Sequence, residues 1–168
     1  MTWFAKAFLK ASLAWLALGV TLGVAMAAHP VWTVYRLAHV HMLLLGFVTM
    51  MIYGVAYHVI PHFVGFRLHR PPLAGAHWWI ANGGLLLMVA GFVARVRWTA
   101  AATAVLATGG TLSAVGAYLF VYVIWRTIDG PDQMRAASAR AARAVERSST
   151  GSSRTLTVVA MQSGARGA

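Results

Sequence analysis

Cysteine is absent from this 168-residue chain, so neither a disulfide nor a thiolate metal site can form within it. Acidic residues are almost as scarce. The three present, Asp129, Asp132 and Glu146, all lie in the last quarter, and the first 128 residues contain no carboxylate side chain. Charged residues make up 10% of the chain, whereas a soluble domain would need about 25% to cover its surface. An ordinary water-facing surface is therefore excluded. What the chain has instead is apolar: 60% of its residues are hydrophobic. The formal net charge of +11 would point to nucleic acid in a soluble protein. Here seven of the fourteen basic residues fall at or after Arg126, so the charge is largely a property of the tail, and no nucleic-acid partner is expected.

Four apolar stretches organise the sequence, at about residues 4–27, 34–60, 77–94 and 98–125. A helix rising ~1.5 Å per residue crosses the hydrocarbon in about 20 residues. Backbone polar groups in lipid must be satisfied within the segment, so the stretches are expected as helices. The fold class is thus an all-α integral membrane bundle of four transmembrane helices, occupying residues 1–126. The connectors hold the breakers His29-Pro30 and Arg70-Pro71-Pro72 and the basic Arg95-Val96-Arg97. Trp32, Trp78, Trp79, Trp98 and Trp125 sit near the expected helix ends, where indoles favour the water boundary. The first segment is too long for a signal peptide and lacks a convincing small-residue cleavage site. Lys6, Lys10, Arg67, Arg70 and the residues from Arg126 onward fall on one side, with only Arg36, Arg95 and Arg97 on the other. The positive-inside rule then places both termini in the cytoplasm, in a bacterial-type inner membrane.

The tail, residues 127–168, is basic and rich in Ala, Arg and Ser. Residues 134–147 have the composition of a short helix whose arginines could rest on anionic headgroups or simply be solvated. Residues 148–168 are low in complexity and expected to lack structure.

With no thiolate and no carboxylate in the bundle, histidine is the remaining metal ligand. There are seven: His29, His39, His41, His58, His62, His69 and His77. Ionisable side chains within membrane helices are costly and tend to have a purpose. His39 and His58 lie 19 residues apart on one helix, about 28 Å along its axis, and cannot share a metal. His29, His39 and His41 form an outer group; His58, His62, His69 and His77 form an inner one. His39 and His41 are turned by about 200° from each other and should not hold one ion together. On the His39 face, Gly46, Met50, Tyr53 and Tyr57 follow at roughly helical repeats. Gly46 leaves either room for a flat porphyrin beside His39 or a site for close helix packing. His58 and His62 share a face if Pro61 does not break the turn, and with His77 could form a three-histidine site. At the water boundary, the same residues could instead be hydrogen-bonded to backbone or lipid.

The second stretch reads Arg36-Leu37-Ala38-His39, then an apolar run with Gly46 and Gly54, then Tyr57 and Pro61. It resembles the second helix of the catalytic subunit of heme–copper oxidases, nearest the C-type oxidases and the bacterial nitric oxide reductases. His77-Trp78-Trp79, with Gly83 and Gly84 behind it, resembles the start of the next helix in those subunits. The likeness covers roughly residues 35–95, a little over a third of the chain. It implies that His39 is an axial ligand of a low-spin heme b close to the outer face, the side that the charge pattern also assigns to it. A second ligand would come from His29, His41 or another chain, with Gly46 beside the ring. The resemblance implies heme b rather than copper or zinc.

The chain departs from the family in having far fewer helices. The later helices that carry the copper ligands and the other heme ligands have no counterpart, and no acidic residue is present in the bundle to relay protons. A complete oxidoreductase is therefore not expected. The functions in view are electron transfer or NO/O2 sensing by a b-type heme protein, a heme-free scaffold or assembly subunit of a respiratory complex, and histidine-based metal handling. The lipid bilayer is the expected partner. Gly19-x-x-x-Gly23 supplies a small-residue face for the four-helix core or for a homodimer.

Overall fold

A computed structural model describes residues 1–136 and 138–143. The chain divides into two compact units, Met1–Ile128 and Asp129–Ala168. No strand occurs among the described residues.

Unit Met1–Ile128 contains four spans long and apolar enough to cross a membrane: Trp3–Ala28, Pro30–Val64, Pro71–Ala94 and Thr99–Ile128. The first is α1 (Trp3–Ala28). The second is composite. A 3-10 segment, Pro30–Tyr35, leads into α2 (Arg36–His41), a π-helical segment (Met42–Thr49) and α3 (Met50–Val64). Then follow α4 (Pro71–Ala94) and α5 (Thr99–Ile128). Leu13, Leu18, Val24, Leu44, Ile52, Leu86, Val115 and Val121 are among the large apolar side chains left on the outside. Such an exterior suits hydrocarbon, which asks no polar cover of a helix bundle.

Local chemistry sets the ends of these spans. Pro61 lies inside α3 without ending it, and the helix continues to Val64. Gly65 then takes the left-handed conformation, φ 67°, and its N–H donates to the Pro61 carbonyl. This is the glycine stop that lets a helix end without a Cβ clash. Pro71 opens α4, where its missing N–H costs nothing and its fixed φ favours the first turn. The third apolar stretch therefore begins as a helix at Pro71, six residues ahead of the expected His77. His77 is lifted away from the boundary and into the bundle. Between the two helices Arg70 holds a positive φ of 48°. This is sparsely populated backbone for a side chain of that size. The His69 N–H donates to Thr127 Oγ1 (3.0 Å), which ties this loop to the end of α5.

The helices meet where side chains are small. A Cβ on Gly54 would lie 3.1 Å from the Ala5 carbonyl oxygen, bringing α3 against the start of α1. Gly84 and Gly109 set α4 against α5: a Cβ on Gly84 would lie 2.7 Å from the Ser113 nitrogen, and one on Gly109 would lie 2.8 Å from the Gly84 carbonyl oxygen. Phe4, Phe8, Met50, Tyr57, Leu85 and Val123 fill the core between them.

In unit Asp129–Ala168, residues 130–136 and 138–143 are helical. This agrees with a helix in the Ala/Arg-rich stretch as far as residue 143. The rest of that stretch and the low-complexity segment 148–168 lie outside the described residues.

Candidate functional site

The seven histidines separate into settings with different chemistry. His39, one turn into α2, is half-buried and reaches across to α1. Its Nδ1 lies 2.8 Å from the Gly19 carbonyl oxygen. A carbonyl only accepts, so Nδ1 carries the proton and donates, and Nε2 is left with a free lone pair. The ring rests on Gly23, where a Cβ would come within 2.8 Å of the imidazole Cε1. The Gly19-x-x-x-Gly23 stripe is thus used inside the chain, as the bed of this imidazole. A histidine whose second nitrogen donates to a backbone carbonyl has the tautomer and fixed orientation of a metal ligand. By that test His39 fits axial ligation, as do His41 and His62, whose Nδ1 atoms donate to carbonyls four residues back in their own helices; the His39 bond is the one that reaches another helix.

Gly46 does not supply the room expected beside His39. A Cβ there would lie 2.6 Å from Trp15 Cβ and 3.0 Å from Leu85 Cδ2. Trp15 is held in place by an indole N–H donated to Asn82 Oδ1 at 3.2 Å. Gly46 does face α1 as His39 does, but the shared face is filled by tryptophan and leucine. Of the two readings of this glycine, helix packing accounts for the contacts around it.

His41 and His29, at the same end of the bundle as His39, have other neighbours. His41 Nδ1 donates to the Leu37 carbonyl (2.8 Å), and its ring packs on Phe92 of α4 with centroids 4.7 Å apart. His29 is exposed at the end of α1, with Trp32 as its aromatic neighbour at 5.7 Å. His41 is thus engaged with α4, whereas His29 caps α1, its backbone N–H donating to the Ala25 carbonyl at 2.9 Å.

Directly after His41 the backbone widens into the π-helical segment Met42–Thr49. Thr49 Oγ1 donates to the carbonyl of Leu44, five residues back, at 2.8 Å. π-helical insertions are rare and are frequent at functional sites. No residue type in the apolar run announces this one.

At the opposite end, His58 and His62 face each other with ring centroids 4.8 Å apart, and His62 Nδ1 donates to the His58 carbonyl (2.6 Å). Pro61 has not separated them. His77 does not join them. It is fully buried in α4, with Nδ1 2.9 Å from the Tyr57 hydroxyl. No group of three or more metal-ligating side chains occurs among the described residues. The three-histidine inner site is corrected on this point: moving the helix start to Pro71 takes His77 into the core, while His62 stays exposed. His69, in the α3–α4 loop, has its ring near Tyr122 at 5.7 Å.

The Tyr57–His77 pair is the feature the sequence reading missed. Phe8, Tyr53 and Phe120 surround the His77 ring at centroid distances of 4.9, 4.6 and 6.0 Å. The signal was present in Pro71-Pro72: reading a proline as the first helical residue puts His77 two turns inside the helix.

No protein-family model matches the chain, and no curated protein matches it.

Proposed function

We propose that the protein is a multi-pass inner-membrane protein that binds a b-type heme near the outer face, with His39 as an axial ligand. Both termini face the cytoplasm in this reading. We place it as a small relative of the heme–copper oxidase catalytic subunit, working in electron transfer or in sensing NO or O2. The observation that carries the reading is the His39 imidazole: Nδ1–H is committed to the Gly19 carbonyl, the ring lies on Gly23, and Nε2 is free for iron. The resemblance of Arg36-Leu37-Ala38-His39 to the ligand-bearing helix of the oxidases supports it. Bound heme would supply a one-electron couple, or a gas site if its sixth position stays open. His29 and His41 are the other candidate ligands in the chain. The His41 ring packs on Phe92 of α4 and His29 is exposed at the end of α1, so a second copy or a partner subunit is a further source of a second ligand.

The test is a reduced-minus-oxidised visible spectrum of the protein purified from membranes, compared with His39→Ala and His58→Ala. Heme content should collapse in His39→Ala and persist in His58→Ala, whose side chain lies at the other end of the second span. A wild type that never carries heme, or an unchanged spectrum in His39→Ala, rejects the proposal. One observation favours the alternative of a heme-free scaffold or assembly subunit: Trp15 fills the face at Gly46, giving a core that packs without a cofactor there.

A further inference from the structure

His58 and His62 stand four residues apart in α3, a spacing at which two side chains share one helix face. Their rings meet nearly edge to face, with centroids 4.8 Å apart and planes at 65°. Both line one surface cleft of about 300 Å³, walled otherwise by Val59 and Phe63. His62 is exposed and His58 half-buried, so an ion reaches the pair without crossing the bundle.

Hydrogen bonding prepares His62 as a ligand. Its Nδ1 lies 2.6 Å from the His58 carbonyl oxygen. The carbonyl only accepts, so Nδ1 carries the proton and Nε2 keeps its lone pair. The same bond holds the orientation of the ring, as the second bond of a metal-bound histidine does. Two nitrogens ~2.0 Å from one ion, in adjacent coordination positions, lie about 3 Å apart. Rings with centroids 4.8 Å apart reach that separation when their nitrogens converge. His62 also lies in the last turn of α3, where the negative end of the helix dipole favours a cation.

We propose that His58 and His62 chelate a divalent late first-row transition-metal ion, of the Cu2+, Ni2+ or Zn2+ class, through one nitrogen of each ring. Two histidines one turn apart on a helix have the ligand spacing of helical zinc sites. The hydrolytic part of that motif is missing: Val59, not a glutamate, follows the first histidine, so the ion has no general base beside it. No carboxylate precedes Asp129, which leaves hard ions such as Mg2+ and Ca2+ without their usual oxygen ligands, whereas imidazole suits the softer class. No third metal-ligating side chain joins the pair among the described residues, so waters complete the coordination. A site with two protein ligands and open positions suits capture and transfer of an ion rather than permanent structural binding. The site stands independently of heme.

The experiment is a Cu2+ titration of the full chain in lipid nanodiscs, followed by electron paramagnetic resonance with nitrogen-labelled histidine. The wild type should bind Cu2+ with the couplings of two imidazole nitrogens. Zn2+ and Ni2+ should compete for the site and Mg2+ should not. His58→Ala and His62→Ala should each weaken binding by about tenfold or more, because the second ring of a chelate binds intramolecularly. The double variant His62→Ala with Phe63→His keeps the number of histidines but turns one off the shared face, and it should lose as much as His62→Ala. A wild-type spectrum with one imidazole or none, displacement by Mg2+, or variants that bind Cu2+ as tightly as the wild type overturns the proposal. The wild-type spectrum decides even if a variant fails to fold. Heme content does not enter any of these readings, so failure of this site and failure of the heme reading are separate results.

Discussion

His39 and His77 are each half-committed imidazoles in which one nitrogen is fixed by a short hydrogen bond and the other is free. Their surroundings separate their chemistry. His39 is half-buried and lies on a glycine of the neighbouring helix; His77 is enclosed by aromatic rings. A variant that leaves His39 in place but removes its bed discriminates orientation from simple presence of the ligand. Gly23→Val puts carbon 2.8 Å from the imidazole Cε1 and more beyond it, so the ring must rotate away from α1. We expect roughly a 10–100-fold loss in heme affinity, comparable to losing a residue that orients a metal ligand. Heme titration of the apoprotein measures it, and an affinity equal to wild type removes Gly23 from the site. At this scale the sequence made the candidate ligands legible because histidine is conspicuous where acid and thiol are missing. It could not show that Gly46 is filled by Trp15, because Trp15 is thirty-one positions away in the chain.

The four spans were readable from apolar length alone, but their limits were not: Pro30 and Pro71, read as breakers in the connectors, are the first residues of the second and third spans. Gly65 ends α3 as a glycine stop and Pro71 starts α4, both local effects of a single residue. Two features of the elements escaped. The π-helical segment Met42–Thr49 depends on a small change in backbone register, which neighbouring helices decide and residue type does not encode. The approach of α4 and α5 depends on Gly84 and Gly109 meeting, which needs both helices in place. Gly84→Leu should therefore be costly: even its Cβ would lie 2.7 Å from the backbone nitrogen of Ser113, which cannot move without α5. Overpacking of this kind costs about 1–3 kcal/mol. Thermal unfolding in detergent, followed by circular dichroism, should show a lower midpoint than for Gly83→Leu, where a Cβ meets open space. Equal midpoints would mean that the α4–α5 contact does not limit stability.

At the scale of the whole molecule, charge distribution sets a directional expectation. Lys6, Lys10, Arg67 and Arg70 lie at the end of the bundle where α3 stops and α4 starts; Arg36, Arg95 and Arg97 lie at the other. The excess sits with the termini, and the proposed orientation, with both in the cytoplasm, rests on the positive-inside rule. A reporter active only in the periplasm, fused after residue 168, should stay silent, while one inserted at the loop between α4 and α5 should be active. A strong carboxyl-terminal signal would reverse the orientation and move His39 to the cytoplasmic side.

By itself the sequence determined that the chain is helical and apolar enough to cross a bilayer four times. It also left histidine as the candidate metal ligand of the bundle, since thiol and carboxylate are missing there. Both follow from composition and from spacing along one helix, which are local. Only the tertiary structure decided which histidines have partners. The free nitrogen of His39, the separation of His77 from His58 and His62, and the Tyr57–His77 bond all depend on contacts between spans. Such contacts depend on where small residues let two backbones approach and on which side chain reaches the gap first. Trp15 reaches the gap at Gly46, and the His39 ring settles on Gly23.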